Sequence, residues 1–68
     1  MKKYYFTFGY GQLHENKYVV IEADTYEEAR EEMYTRFGTK WSFQYTEKEW
    51  VDKDGITMAE NWNLTELK

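Results

Sequence analysis

The chain has 68 residues, 41% hydrophobic and 21% aromatic, with 13 Asp+Glu against 9 Lys+Arg, a formal charge of −4, and neither Cys nor Pro. Such a length supports one core that buries only about 60% of the unfolded surface; without thiols, disulfides and thiolate zinc sites are excluded, and the single histidine, His14, cannot furnish an imidazole cluster. No stretch approaches the roughly 20 apolar residues of a membrane span, and the acidic balance argues against gripping a phosphate backbone.

The first element is the segment Lys3-Tyr-Tyr-Phe-Thr-Phe-Gly-Tyr10, whose aromatic and β-branched residues suit a strand. Alternation sends Tyr4, Phe6 and Phe8 to one face and Tyr5, Thr7 and Gly9 to the other. A second strand, Lys17 to Ala23, follows a connection from Gly11 to Asn16, with Asn16 in the turn, so the two form an antiparallel hairpin.

Thr25-Tyr-Glu-Glu28 is a capping-box signature that opens a helix. Tyr26, Ala29, Met33 and Phe37 then recur at helical spacing, and Gly38 suits the left-handed position that closes it. In Lys40 to Thr46, Trp41, Phe43 and Tyr45 alternate with Ser42 and Gln44, a half-buried strand pattern. A right-handed crossover makes the second and third strands parallel, with the first between them and antiparallel to both.

The expected fold is therefore a single α+β domain over residues 1–68. It has ββαβ order, a three-stranded antiparallel sheet in the order 2-1-3, one helix on one face and a short helical tail. The expected core is Phe6, Phe8, Val19, Ile21, Ala29, Met33, Phe37, Trp41, Phe43 and Tyr45. The tail divides at two signals. Thr46-Glu-Lys-Glu49 reads as a second capping box leading to Trp50-Val51, with a stop at Gly55 favoured over a hairpin turning at Asp52 to Gly55, and Thr57-Met-Ala-Glu60 as a further short helix carrying Met58 and Trp62. Leu64 and Leu67 would fasten the end to the sheet or to a partner.

Three chemical motifs fail on spacing. Gly9-Tyr10-Gly11 lacks the third glycine and following helix of a dinucleotide loop, which leaves a bend or bulge, or a functional tip at Tyr10. Placing Asp52, Asp54 and Gly55 in a calcium loop puts Trp50 and Asn61 where carboxylates are required. His14 and Ser42 have no spacing that supports a nucleophile and base. No catalytic residue, metal site or cofactor is expected.

The strongest local anomaly is Glu22, Asp24, Glu27, Glu28, Glu31 and Glu32, six acids in eleven residues with only Arg30 among them. Glu27/Glu31 and Glu28/Glu32 repel at i,i+4 by about 0.2–0.5 kcal/mol each, while Glu32 has Arg36 as a partner. The block reads either as a solvated helix face or as a patch for a basic partner. The other sheet face, with Tyr5, Thr7, Tyr18, Val20, Ser42 and Gln44, reads either as an interface or as a surface covered by the tail.

The strings Tyr5-Phe-Thr-Phe-Gly-Tyr-Gly-Gln12 and Lys40-Trp-Ser-Phe-Gln-Tyr45, with Tyr18 to Glu22, Ala29 to Met33 and Glu49-Trp50, resemble a family of small uncharacterised phage and prophage proteins of Gram-positive bacteria. The resemblance spans roughly residues 4–50 and brings no catalytic residues with it. It implies a phage accessory protein similar to anti-CRISPR and other anti-defence inhibitors, working in the host bacterial cytosol on a host protein such as a nucleic-acid-binding defence component. On that expectation Glu27, Glu28, Glu31, Glu32 and Tyr10 bind the partner. The alternatives are an oligomeric sponge for a nucleotide signal and a homodimeric accessory protein without an inhibitory role.

Overall fold

A computed structural model of the chain describes residues 1–9, 11 and 14–67. Seven elements follow in order: β1 (Lys2–Thr7), β2 (Lys17–Ala23), α1 (Tyr26–Phe37), β3 (Phe43–Thr46), α2 (Glu47–Trp50), α3 (Met58–Trp62) and β4 (Thr65–Glu66). The sheet order is β3-β1-β2-β4. β1 is antiparallel to β2 and to β3, as the 2-1-3 order requires. The expected three-stranded antiparallel sheet is nevertheless corrected to a mixed sheet of four, because β4 joins β2 in parallel. Two tail amides make this pairing: Thr65 N–H donates to Asn16 O at 3.0 Å and Leu67 N–H to Tyr18 O at 2.7 Å. A strand of two residues is too short to leave an alternation in the sequence.

Helix α1 begins where its cap lies. Glu28 N–H donates to Thr25 Oγ1 at 3.1 Å, although the return bond from the Glu28 carboxylate is absent among the described residues. The helix ends at Gly38, whose φ of +63° is open to glycine and whose N–H donates to Tyr34 O. Ala29 and Met33 face the sheet and are buried with Tyr4, Phe6, Phe8, Val19, Ile21 and Ala23, and Phe37, Trp41 and Leu67 pack at the margin.

Two expected core residues lie elsewhere. Phe43 is 59% exposed and Tyr45 is half-buried; they pair with Thr7 and Tyr5, so they share the face opposite α1. The cause is one extra residue. Ser42 N–H donates to Thr7 O at 2.9 Å although the register partner of Thr7 is Phe43, so two consecutive residues meet one on β1, as in a β-bulge. Alternation therefore breaks between Trp41, which packs edge-on against Phe6 at 5.2 Å, and Phe43. Gln44, expected on the far face, instead shares the α1 face and donates its side-chain N–H to Tyr26 O at 2.9 Å.

The far face is covered at its centre by a single side chain. The reciprocal capping box of Thr46 and Glu49 stabilises the one turn of α2. That turn delivers Trp50 onto the sheet, where its ring stacks on Tyr5 at 4.7 Å and 4° and touches Tyr18 and Tyr45 at 5.2 and 5.7 Å. Trp50 is 3% exposed as a result. The helix ends there and not at Gly55: a turn over Asp52 to Gly55 follows, closed by a bridge between Val51 and Thr57. The short helix and the hairpin, alternatives in the sequence, occur in succession.

Candidate functional site

The described residues hold no group of three or more potential metal-ligating side chains. At the calcium-like string, Asp52 Oδ1 accepts the backbone N–H of Asp54 at 2.8 Å and of Ile56 at 3.0 Å, which makes it a turn. The bond from Ile56, then those from Asp54 and Asn61, hold the Asp52 carboxyl below its ordinary range. The His14 ring packs edge-on against Phe8 at 5.2 Å, while Ser42 is exposed at the bulge. Gly11, at φ +84°, donates its N–H to the Glu15 carboxylate at 3.0 Å. Tyr10 lies outside the described residues.

Three acids of the block form an exposed helix surface. Glu27, Glu28 and Glu31 are exposed on the solvent side of α1. Glu32 is half-buried and bonds Arg36 at 2.8 Å, the one ion pair among the described residues. Arg30, the only cation within the block, turns away from it: its guanidinium lies 5.1 Å from the Trp41 ring and 6.0 Å from that of Tyr34. Among the described residues, Glu27, Glu28 and Glu31 thus have no cation paired with them.

Three concavities accompany this surface. A groove of about 540 Å³ on the far face is lined by Phe43, Tyr45, Met58, Trp62 and Leu64, with Glu15 the sole charged residue among the described ones that line it. Trp62 is 73% exposed at its rim. Sequence reasoning missed this groove because it assigned Phe43 to the core, and no local pattern announces the bulge that turns it outward. A second hollow of about 610 Å³ runs beside β2, between Glu32 and Arg36 on one side and Tyr5 and Tyr18 on the other. Burial first, then the charges of Glu47 and Glu66, raise the Tyr5 hydroxyl pKa, and burial with Glu66 raises that of Tyr18. A cleft of about 280 Å³ holds His14, Arg36 and Lys40 near the end of α1, where cations complement the helix carbonyls.

No protein-family model, curated protein or solved structure matches the chain. Among the described residues, no helix is long and apolar enough to cross a membrane.

Proposed function

We propose that this chain is a non-enzymatic phage accessory protein that binds a basic host protein in the bacterial cytosol and blocks its functional surface, in the manner of an anti-CRISPR or other anti-defence inhibitor. The observation that carries the reading is the layout of the acidic block: Glu27, Glu28 and Glu31 stand exposed together while Arg30 is drawn off to Trp41. A rigid helix displaying carboxylates matches the electrostatics of a groove that itself binds nucleic acid, and such complementarity acts on the rate of encounter and on partner choice. Glu32 supports the surface through Arg36.

The test is a pull-down from a Gram-positive host lysate at low and high salt, repeated with Glu27→Lys/Glu31→Lys. One enriched nucleic-acid-binding protein, released by salt and lost in the variant, is expected; enrichment unchanged by the reversal would overturn the acidic reading.

A second reading, a homodimeric accessory protein, draws on the exposure of Phe43 and Trp62 beside the groove. Sedimentation would show a dimer that Trp62→Ser dissociates. The nucleotide sponge has less support: Arg36 is committed to Glu32, and the hollow beside β2 mixes Lys3 and Arg36 with Glu22, Glu32 and Glu66, a poor match for phosphates.

A further inference from the structure

β2 lies inside the sheet order but is only half covered on its outer side. Its partner β4 pairs with Lys17 and Tyr18 alone. The bonds to Asn16 O and Tyr18 O show that the even-numbered backbone groups of this strand point outward. By the two-residue repeat of a strand, the N–H and C=O of Val20 and Glu22 point the same way. Among the described residues no strand lies against them. The hollow beside β2 follows this stretch, roofed by Glu32 and Arg36 of α1 and floored by Tyr5 and Tyr18.

We infer that the outer edge of β2 at Val20 and Glu22 receives an extended basic segment of the partner protein as an added strand. This deepens the proposed function and rests on its acidic-surface reading. Main-chain hydrogen bonds to an open edge provide affinity, and the side chains flanking that edge choose the sequence. The flanking charges choose cations: Glu22, Glu32 and Glu66 border the hollow against Lys3 and Arg36. Arg36 is held by Glu32, and Lys3 faces Glu22 across the β1–β2 pair, which leaves Glu66, beside the tyrosine hydroxyls, without a cation partner among the described residues. Burial first, and then the charge of Glu66 among the neighbours of both rings, raise the Tyr5 and Tyr18 pKa values. A second copy of this chain is a poor occupant, since like charges placed opposite each other on paired strands are destabilising and each copy would bring Glu22 and a charge of −4.

The experiment uses the full chain with three synthetic probes: a short peptide alternating Lys and Val, its Glu and Val counterpart, and the Lys peptide N-methylated at every backbone nitrogen. Residue-resolved amide exchange by NMR reads the site. The Lys peptide is expected to slow exchange at Val20 and Glu22 by about tenfold or more, the other two to leave it unchanged, and Glu66→Lys to weaken Lys-peptide binding about tenfold. Lys-peptide binding that perturbs Glu27 and Glu31 without slowing Val20 and Glu22 would overturn strand addition and leave the acidic reading standing. Absence of Lys-peptide binding at low salt would overturn both. Concentration-dependent protection of Val20 and Glu22 in the protein alone would name a second copy as the occupant and overturn the basic segment.

Discussion

Tyr5 and Tyr18 show how a residue's surroundings, more than its type, set its role. Both fall on the face that alternation assigns them, yet only the arrival of Trp50, stacked on Tyr5 at 4.7 Å, turns an open tyrosine surface into a partly dry one. Such stacking is worth about 0.5–1.5 kcal/mol beyond the area it buries. Burial and the neighbouring carboxylates raise both hydroxyl pKa values. A raised folded-state pKa means that the unfolded chain ionises first as pH rises. The contribution is thus complete below the unfolded value of about 10 and is lost as pH climbs through the folded value. Urea midpoints followed from neutral to alkaline pH should fall above about pH 10, and Tyr5→Phe/Tyr18→Phe should flatten that fall. An unaltered alkaline limb in the double variant would assign the loss to other groups. The stripe that carries the two tyrosines was legible in the sequence, whereas their partner, Trp50, came from a segment far along the chain, beyond the reach of a local pattern.

At the scale of elements, the chain is punctuated by threonine caps. Thr25, Thr46 and Thr57 each accept the N–H three residues on, and α1, α2 and α3 begin immediately after them. All three starts were readable because a cap is a contact within four residues. The cap at Thr46 has the largest structural consequence, since the single turn it supports delivers Trp50 to the sheet. Thr46→Ala should cost about 1 kcal/mol in chemical denaturation, with a matching rise in Trp50 exposure by fluorescence quenching. A loss of stability without that exposure would show that α2 holds without its cap. The faces of β3 were misread for a complementary reason: a bulge at Ser42 depends on which residue of β1 it meets, and one inserted residue moves Phe43 and Tyr45 to the opposite face. β4 escaped notice because its two residues are a strand only beside β2.

For the molecule as a whole, the two faces of the sheet are unequal. The α1 face holds the apolar core, and the far face holds the Trp50 cluster and an open groove with Phe43 and Trp62 at 59% and 73% exposure. Side chains so exposed contribute little to folding, so Phe43→Ser/Trp62→Ser should change unfolding free energy by no more than about 0.5 kcal/mol per site. A loss of several kcal/mol in urea titration would mean that these rings close over the groove in solution. The acidic surface lies on α1, away from the groove, which lets salt-dependent binding and apolar self-association be separated by variants at Glu27/Glu31 and Phe43/Trp62.

The sequence by itself determined the hairpin, the helix and its limits, the order β2-β1-β3, the pairing of Glu32 with Arg36 and the exposure of Glu27, Glu28 and Glu31, although Glu32, expected to face water with them, is half-buried. All of these follow from strand alternation, helical spacing, caps or the chirality of a crossover, which act over short stretches of chain. Only the tertiary structure decided that Phe43 faces outward, that Trp50 seals the far face, that the tail adds a parallel strand and that, among the described residues, no strand lies against Val20 and Glu22. Each of these depends on which segment meets which across the sheet, and neighbouring residues in the chain carry no record of that encounter.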